Sequence, residues 1–107
     1  MQNKGIIIKQ LRAALKEEFA GEVNTPFLRE CATDFVMEFL KKAVHGKGYF
    51  HVHCNEDNNS EQVISKHQLV VDFSYMVNFD QDATYGKVSI GLKDSGVLHR
   101  IKSLISK

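Results

Sequence analysis

The sequence predicts a two-layer α+β domain in the order α-α-β-β-β-α, an antiparallel three-stranded meander with helices packed on one face. Three observations carry that expectation. Apolar residues recur every three or four positions up to residue 44, they switch to a period of two from Gly48, and a last stripe of helical spacing follows. Strands joined in succession by short loops pair antiparallel, leaving one sheet face for the helices and one for solvent.

The first helix follows from Ile7 or Ile8, Leu11, Leu15 and Phe19 on one side and Lys9, Arg12, Lys16 and Glu17 on the other, with Gly21 ending it. A second begins with Thr25 as N-cap and Pro26 at the first helical position, where a missing N–H costs nothing. Its apolar pairs are Phe27/Leu28, Cys31/Ala32, Phe35/Val36, Phe39/Leu40 and Ala43/Val44, a broad face suited to more than one neighbour. Lys41, Lys42 and His45 suit the negative end of its dipole, and Gly46 suits a left-handed cap.

In the first strand Phe50, Val52 and Cys54 alternate with Tyr49, His51 and His53; a polar loop, "NEDNNSEQ", follows. The longest strand sets Leu69, Val71, Phe73, Tyr75, Val77 and Phe79 against Gln68, Val70, Asp72, Ser74, Met76 and Asn78. After the turn "DQDATYG", the third places Val88, Ile90 and Leu92 inward and Lys87, Ser89, Gly91 and Lys93 outward. Asp94 or Ser95 then caps a last helix with the stripe Val97/Leu98, Ile101 and Leu104/Ile105.

Length and composition describe a single globular domain over residues 1–107. With 107 residues, 43 % apolar and 25 % charged, the chain has the usual size and make-up of one folded unit. Two cysteines, Cys31 and Cys54, each within an apolar periodic segment, point to a reducing compartment rather than a disulfide framework. The isoleucine run at residues 6–8 is interrupted at once by Lys9, so neither a signal peptide nor a membrane span is expected. A cytoplasmic location follows, in which the glycosylation-type triplet Asn58-Asn59-Ser60 has no use.

The formal net charge of +1 argues against bulk duplex nucleic acid or an acidic membrane as partner. The charge is uneven. Residues 49–94 hold three lysines against seven acids, whereas residues 95–107 hold Arg100, Lys102 and Lys107 with no acid.

Chemistry-bearing residues gather in "YFHVHC". His51 and His53 lie two apart and share a face, while Cys54 points the other way, so the three do not converge on one ion. A His-x-His pair has metal-ligand spacing, and His67 and Asp72 are the residues available to complete a zinc-like set. Two histidines on a wet strand face are the simpler reading. Ser74, Asp72 and a histidine also share the outer face, but a mid-strand serine lacks the sharp turn and backbone donors that activate a nucleophile. Cys54 beside His53 faces away from it and belongs with the core.

Residues 80–86 have the spaced oxygens of a calcium loop, yet glycine comes at the seventh position and no glutamate closes the loop at the twelfth, so a hairpin turn is the better account. The glycines offer no phosphate-binding pattern. Tyr49, the histidines and Lys66, Lys87 and Lys93 resemble a surface for single-stranded nucleic acid, but aromatics are few and Asp72 sits among them.

No catalytic constellation and no cofactor is therefore expected. The sequence points to a protein-interaction module, an adaptor, inhibitor or immunity-type protein that binds another protein or itself. Its interaction face would comprise Tyr49, His51, His53, Val70, Asp72 and Met76, with Val70, Met76 and Tyr49 as an apolar patch and the strand edges open for pairing. A small metal-binding protein using His51, His53, His67 and Asp72 is the alternative, and single-stranded nucleic-acid binding a third reading.

Overall fold

The structure, a computed structural model, describes residues 4–44, 48–77 and 83–92. Its elements are α1 (Lys4–Phe19), α2 (Pro26–Ala43), β1 (Gly48–His53), α3 (Glu61–Ser65), β2 (Gln68–Val77) and β3 (Thr84–Gly91). The strands form an antiparallel sheet in the order β1-β2-β3, with α1 over β3 and α2 over β1 on the same face. This is the two-layer α+β arrangement that the periodicities predict. The expected last helix, the Gly46 cap and residues 78–82, the end of the longest expected strand and the start of the expected turn, lie outside the described residues.

Helix α1 buries Ile7, Leu11, Leu15 and Phe19, a stripe of one residue per turn, and begins at Lys4, ahead of the isoleucine run. Gly21 follows it with φ 83°, a left-handed conformation that a Cβ would strain. Helix α2 starts as the sequence indicates: the Thr25 hydroxyl accepts from the Leu28 N–H at 3.1 Å, with Pro26 next in the chain. Phe27, expected in the core, is 73 % exposed, because it falls on the side of the first turn away from buried Leu28.

From the sheet come Leu69, Val71, Phe73, Tyr75, Val88 and Ile90, all buried, in one cluster with the helix stripes, Cys54 and Leu92. Phe73 pairs across the ladder with Gly86, where a Cβ would overlap its ring, so the glycine is the space the aromatic occupies. Strand β3 starts at Thr84, which moves Thr84, Tyr85 and Gly86 from the expected turn into the ladder. Residues 61 and 62, expected at the end of a polar loop, are helical instead, together with residues 63–65. They form α3, one helical turn that Ser60 caps by accepting from the Val63 N–H at 3.4 Å.

Leu92 joins three segments. Its N–H donates to the carbonyl of His67 at 2.6 Å, and its carbonyl accepts from the Gly21 N–H at 2.7 Å. His67 has φ 57°, the left-handed region, at the turn between α3 and β2.

Candidate functional site: the open face of the sheet

With both long helices on the inner face, the outer face is set by strand parity and register. His51 lies opposite Ser74, which lies opposite Tyr85; His53 lies opposite Asp72, which lies opposite Lys87. Tyr49 faces Met76, and Val70 faces Ser89. The six residues of the expected interaction face therefore fall on one surface. Tyr49 and Tyr85 are the open aromatics, 68 % and 69 % exposed, while Val70, paired with β3 alone, and Met76, paired with β1 alone, are half-buried.

Tyr85 is a residue that the sequence reading placed in a turn. Its parity with Lys87 and Ser89 was the available signal, since all three alternate with the apolar residues of β3. Tyr85 lies diagonally from Met76 across the ladder, within reach of a long side chain. Tyr49, Met76 and Tyr85 thus make a diagonal band across all three strands.

Polar groups in the middle of the face are already engaged. The Asp72 carboxylate accepts from the Asn58 side-chain amide at 2.8 Å and stands 3.8 Å from the Lys87 ammonium. Asn58 also donates to the His53 carbonyl at 2.7 Å and accepts from the Asn55 N–H at 2.9 Å. This ties the turn after β1 to the outer face.

The geometry separates the proposed metal ligands. His53 and Asp72 are cross-strand neighbours and His51 is one position along the same face, but His67 sits in the turn before β2. Four strand residues lie between His67 and Asp72, on the order of 15 Å of chain. Among the described residues no group of three or more His, Cys, Asp or Glu is placed to hold a metal ion. Nor does a hydrogen bond join Ser74 to a histidine or either strand histidine to Asp72; the His53 ring has the Asn55 amide 3.5 Å away.

Cys54 faces inward, as its parity with Phe50 and Val52 requires, and is buried beside Asn59, whose amide lies 3.8 Å from the sulfur. Burial pushes its thiol up to about 11, against the opposing effects of the Arg29 charge and the Asn59 amide. Cys54 is thus a neutral core group. Both cysteines are free.

Beneath this end of the sheet lies a polar network that a reading of the loop as solvated turn misses. Asn24, Arg29 and Asn59 are buried. The Arg29 guanidinium donates to the Asn24 side-chain carbonyl at 2.7 Å, and the Asn24 amide donates to Asn59 Oδ1 at 3.0 Å and to the Gln68 carbonyl at 2.8 Å. Asn59 in turn pairs with the backbone of Val70. Asn24 and Asn59 lie in irregular segments that carry no periodic signal, and Arg29 is a charged residue between the apolar pairs of α2, so nothing in the sequence marks these as interior.

Compared with protein-family models, curated proteins and solved structures, the chain matches none. No helix among the described residues is long and apolar enough to cross a membrane.

Proposed function

We propose that this protein is a cytoplasmic interaction module, an adaptor, inhibitor or immunity-type protein, that binds another protein or a second copy of itself through the outer sheet face. The single observation behind this reading is the band of Tyr49, Met76 and Tyr85, with two aromatics about two-thirds exposed on a face that neither long helix covers. Tyrosines in such positions supply contact area at low entropic cost, and they are enriched where proteins meet. The outer edge of β1 pairs with no other strand among the described residues, so strand addition is a second mode of contact at the same surface. Two free thiols suit a reducing compartment.

The test is native mass spectrometry of gently purified protein beside the variant Tyr49→Ala/Val70→Asp/Met76→Asp. The expected result is a dimer or a co-purified protein with the wild type and a monomer alone with the variant, both folded by circular dichroism. Association that survives all three substitutions would remove the sheet face as the interface. A zinc-sized mass lost in His51→Ala/His53→Ala would instead support the metal-binding alternative.

A further inference from the structure

Where α1 turns into α2, a groove of about 380 Å³ opens between Glu18, Glu22, Val23, Phe27, Leu28 and Cys31. Its apolar walls are unusual for a free surface: Val23 is 69 % and Phe27 73 % exposed. Its rim is acidic, and neither Glu18 nor Glu22 forms an ion pair among the described residues. The groove therefore calls for an occupant that is apolar on one side and basic on the other.

That description fits the end of this same chain. Residues 93–107 carry Val97, Leu98, Ile101, Leu104 and Ile105 at helical spacing, with Arg100, Lys102 and Lys107 and no acid after Asp94. A helix of about a dozen residues is marginal by itself in water, so such a stripe needs an apolar surface to be stable. The departure point is adjacent: the Leu92 carbonyl is hydrogen-bonded at 2.7 Å to Gly21, and Gly21 lines the groove. Thirteen residues, if wound as a helix, span about 20 Å, ample to cover the first turns of α2.

We propose that the groove between α1 and α2 is the docking site for residues 93–107 of this chain, with the apolar stripe against Val23, Phe27 and Leu28 and the basic residues facing Glu18 and Glu22. The site is separate from the outer sheet face, and the proposal stands independently of what that face binds.

Cys31 lies in the groove and provides a built-in reporter, whereas Cys54 is buried and protonated. Full-length single variants Leu98→Cys, Ile101→Cys and Leu104→Cys place a second thiol on the stripe, and Ser103→Cys places one on the opposite side. Under mild added oxidant, the stripe variants are expected to form a disulfide to Cys31 within one chain, located by peptide mass mapping. Ser103→Cys should not. Adding Phe27→Ser, with folding checked by circular dichroism, should slow crosslinking about tenfold, the effect of removing one large apolar contact. A disulfide that joins two copies would overturn the proposal in favour of a second molecule in the groove. Equal yields from all four positions, or no crosslink in folded protein, would overturn it outright.

Discussion

The side-chain amide of Asn59 holds the backbone of Val70 at both of its polar groups: Nδ2 donates to the Val70 carbonyl and Oδ1 accepts from its N–H, each at 2.9 Å. This is the pairing a strand residue would make. Strand β1 ends opposite Asp72, so Val70 lies beyond it on that edge, and Asn59 extends the ladder with a side chain. Asn24 does the same for the Gln68 carbonyl one step further. Two amides thereby close the part of β2 that β1 leaves unpaired.

Asn59→Ala removes both bonds and the one from Asn24, leaving two part-buried backbone groups without partners. The expected cost is about 2–4 kcal/mol, each stranded group contributing its desolvation penalty. Urea unfolding followed by circular dichroism measures it. A loss below about 1 kcal/mol would mean that water replaces the amide and that the pairing is dispensable.

Gly86→Ala tests the fit between Phe73 and its cross-strand partner. The added methyl overlaps a ring that is itself buried and stacked on Tyr75, with centroids 6.3 Å apart. Destabilisation of about 1–3 kcal/mol is expected, as for other overpacked cores. Gly91→Ala is the control, since a Cβ there meets nothing within 4 Å.

The two thiols should differ sharply in reactivity. At pH 8 a thiol with its value near 11 is ionised to about one part in a thousand, so a thiolate-selective reagent should label half-buried Cys31 and leave Cys54 intact in folded protein. The same shift sets a pH dependence. Folding favours the neutral thiol, so stability is full below the ordinary value of 9.0 and falls at about 1.4 kcal/mol per pH unit as pH rises towards about 11. Unfolding curves between pH 8.5 and 10.5 should show less of this slope in Cys54→Ala. An identical slope would place the titrating group elsewhere.

The pair between Lys87 and Asp72, 3.8 Å apart with the lysine 66 % exposed, should matter little to the fold. Lys87→Ala is expected to change stability by less than about 0.5 kcal/mol, as is usual for exposed ion pairs. Asp72→Ala should cost more, because Asp72 also holds Asn58 and with it the turn after β1. If the two variants unfold alike in urea, that second role is absent.

The elements that repeat were legible in the sequence. Ile7, Leu11 and Leu15, or Val71, Phe73 and Tyr75, declare their faces by spacing alone, and Thr25-Pro26 declares a helix start. The outer sheet face followed from the same parity, although register did not, because hairpin pairing depends on the turn as much as on the strands. Isolated interior positions were hidden. Asn24, Arg29 and Asn59 look like surface until tertiary contacts enclose them, and α3 is too short for a period to show. Phe27 errs the other way: an apolar residue in a helical pattern is assigned inward, yet the first turn of α2 stands at the rim of the core.

Helix α1 rests chiefly on β3, the last described strand, so the first and final thirds of the chain complete each other. On a ribosome delivering residues one by one, Ile7, Leu11 and Leu15 emerge long before Val88 and Ile90 exist to receive them. The nascent chain must carry that stripe without its sheet partner while α2, β1, α3 and β2 are made. Closure of α1 onto the sheet is consequently bound to the arrival of β3, and until then α1 offers a chaperone an uncovered stripe.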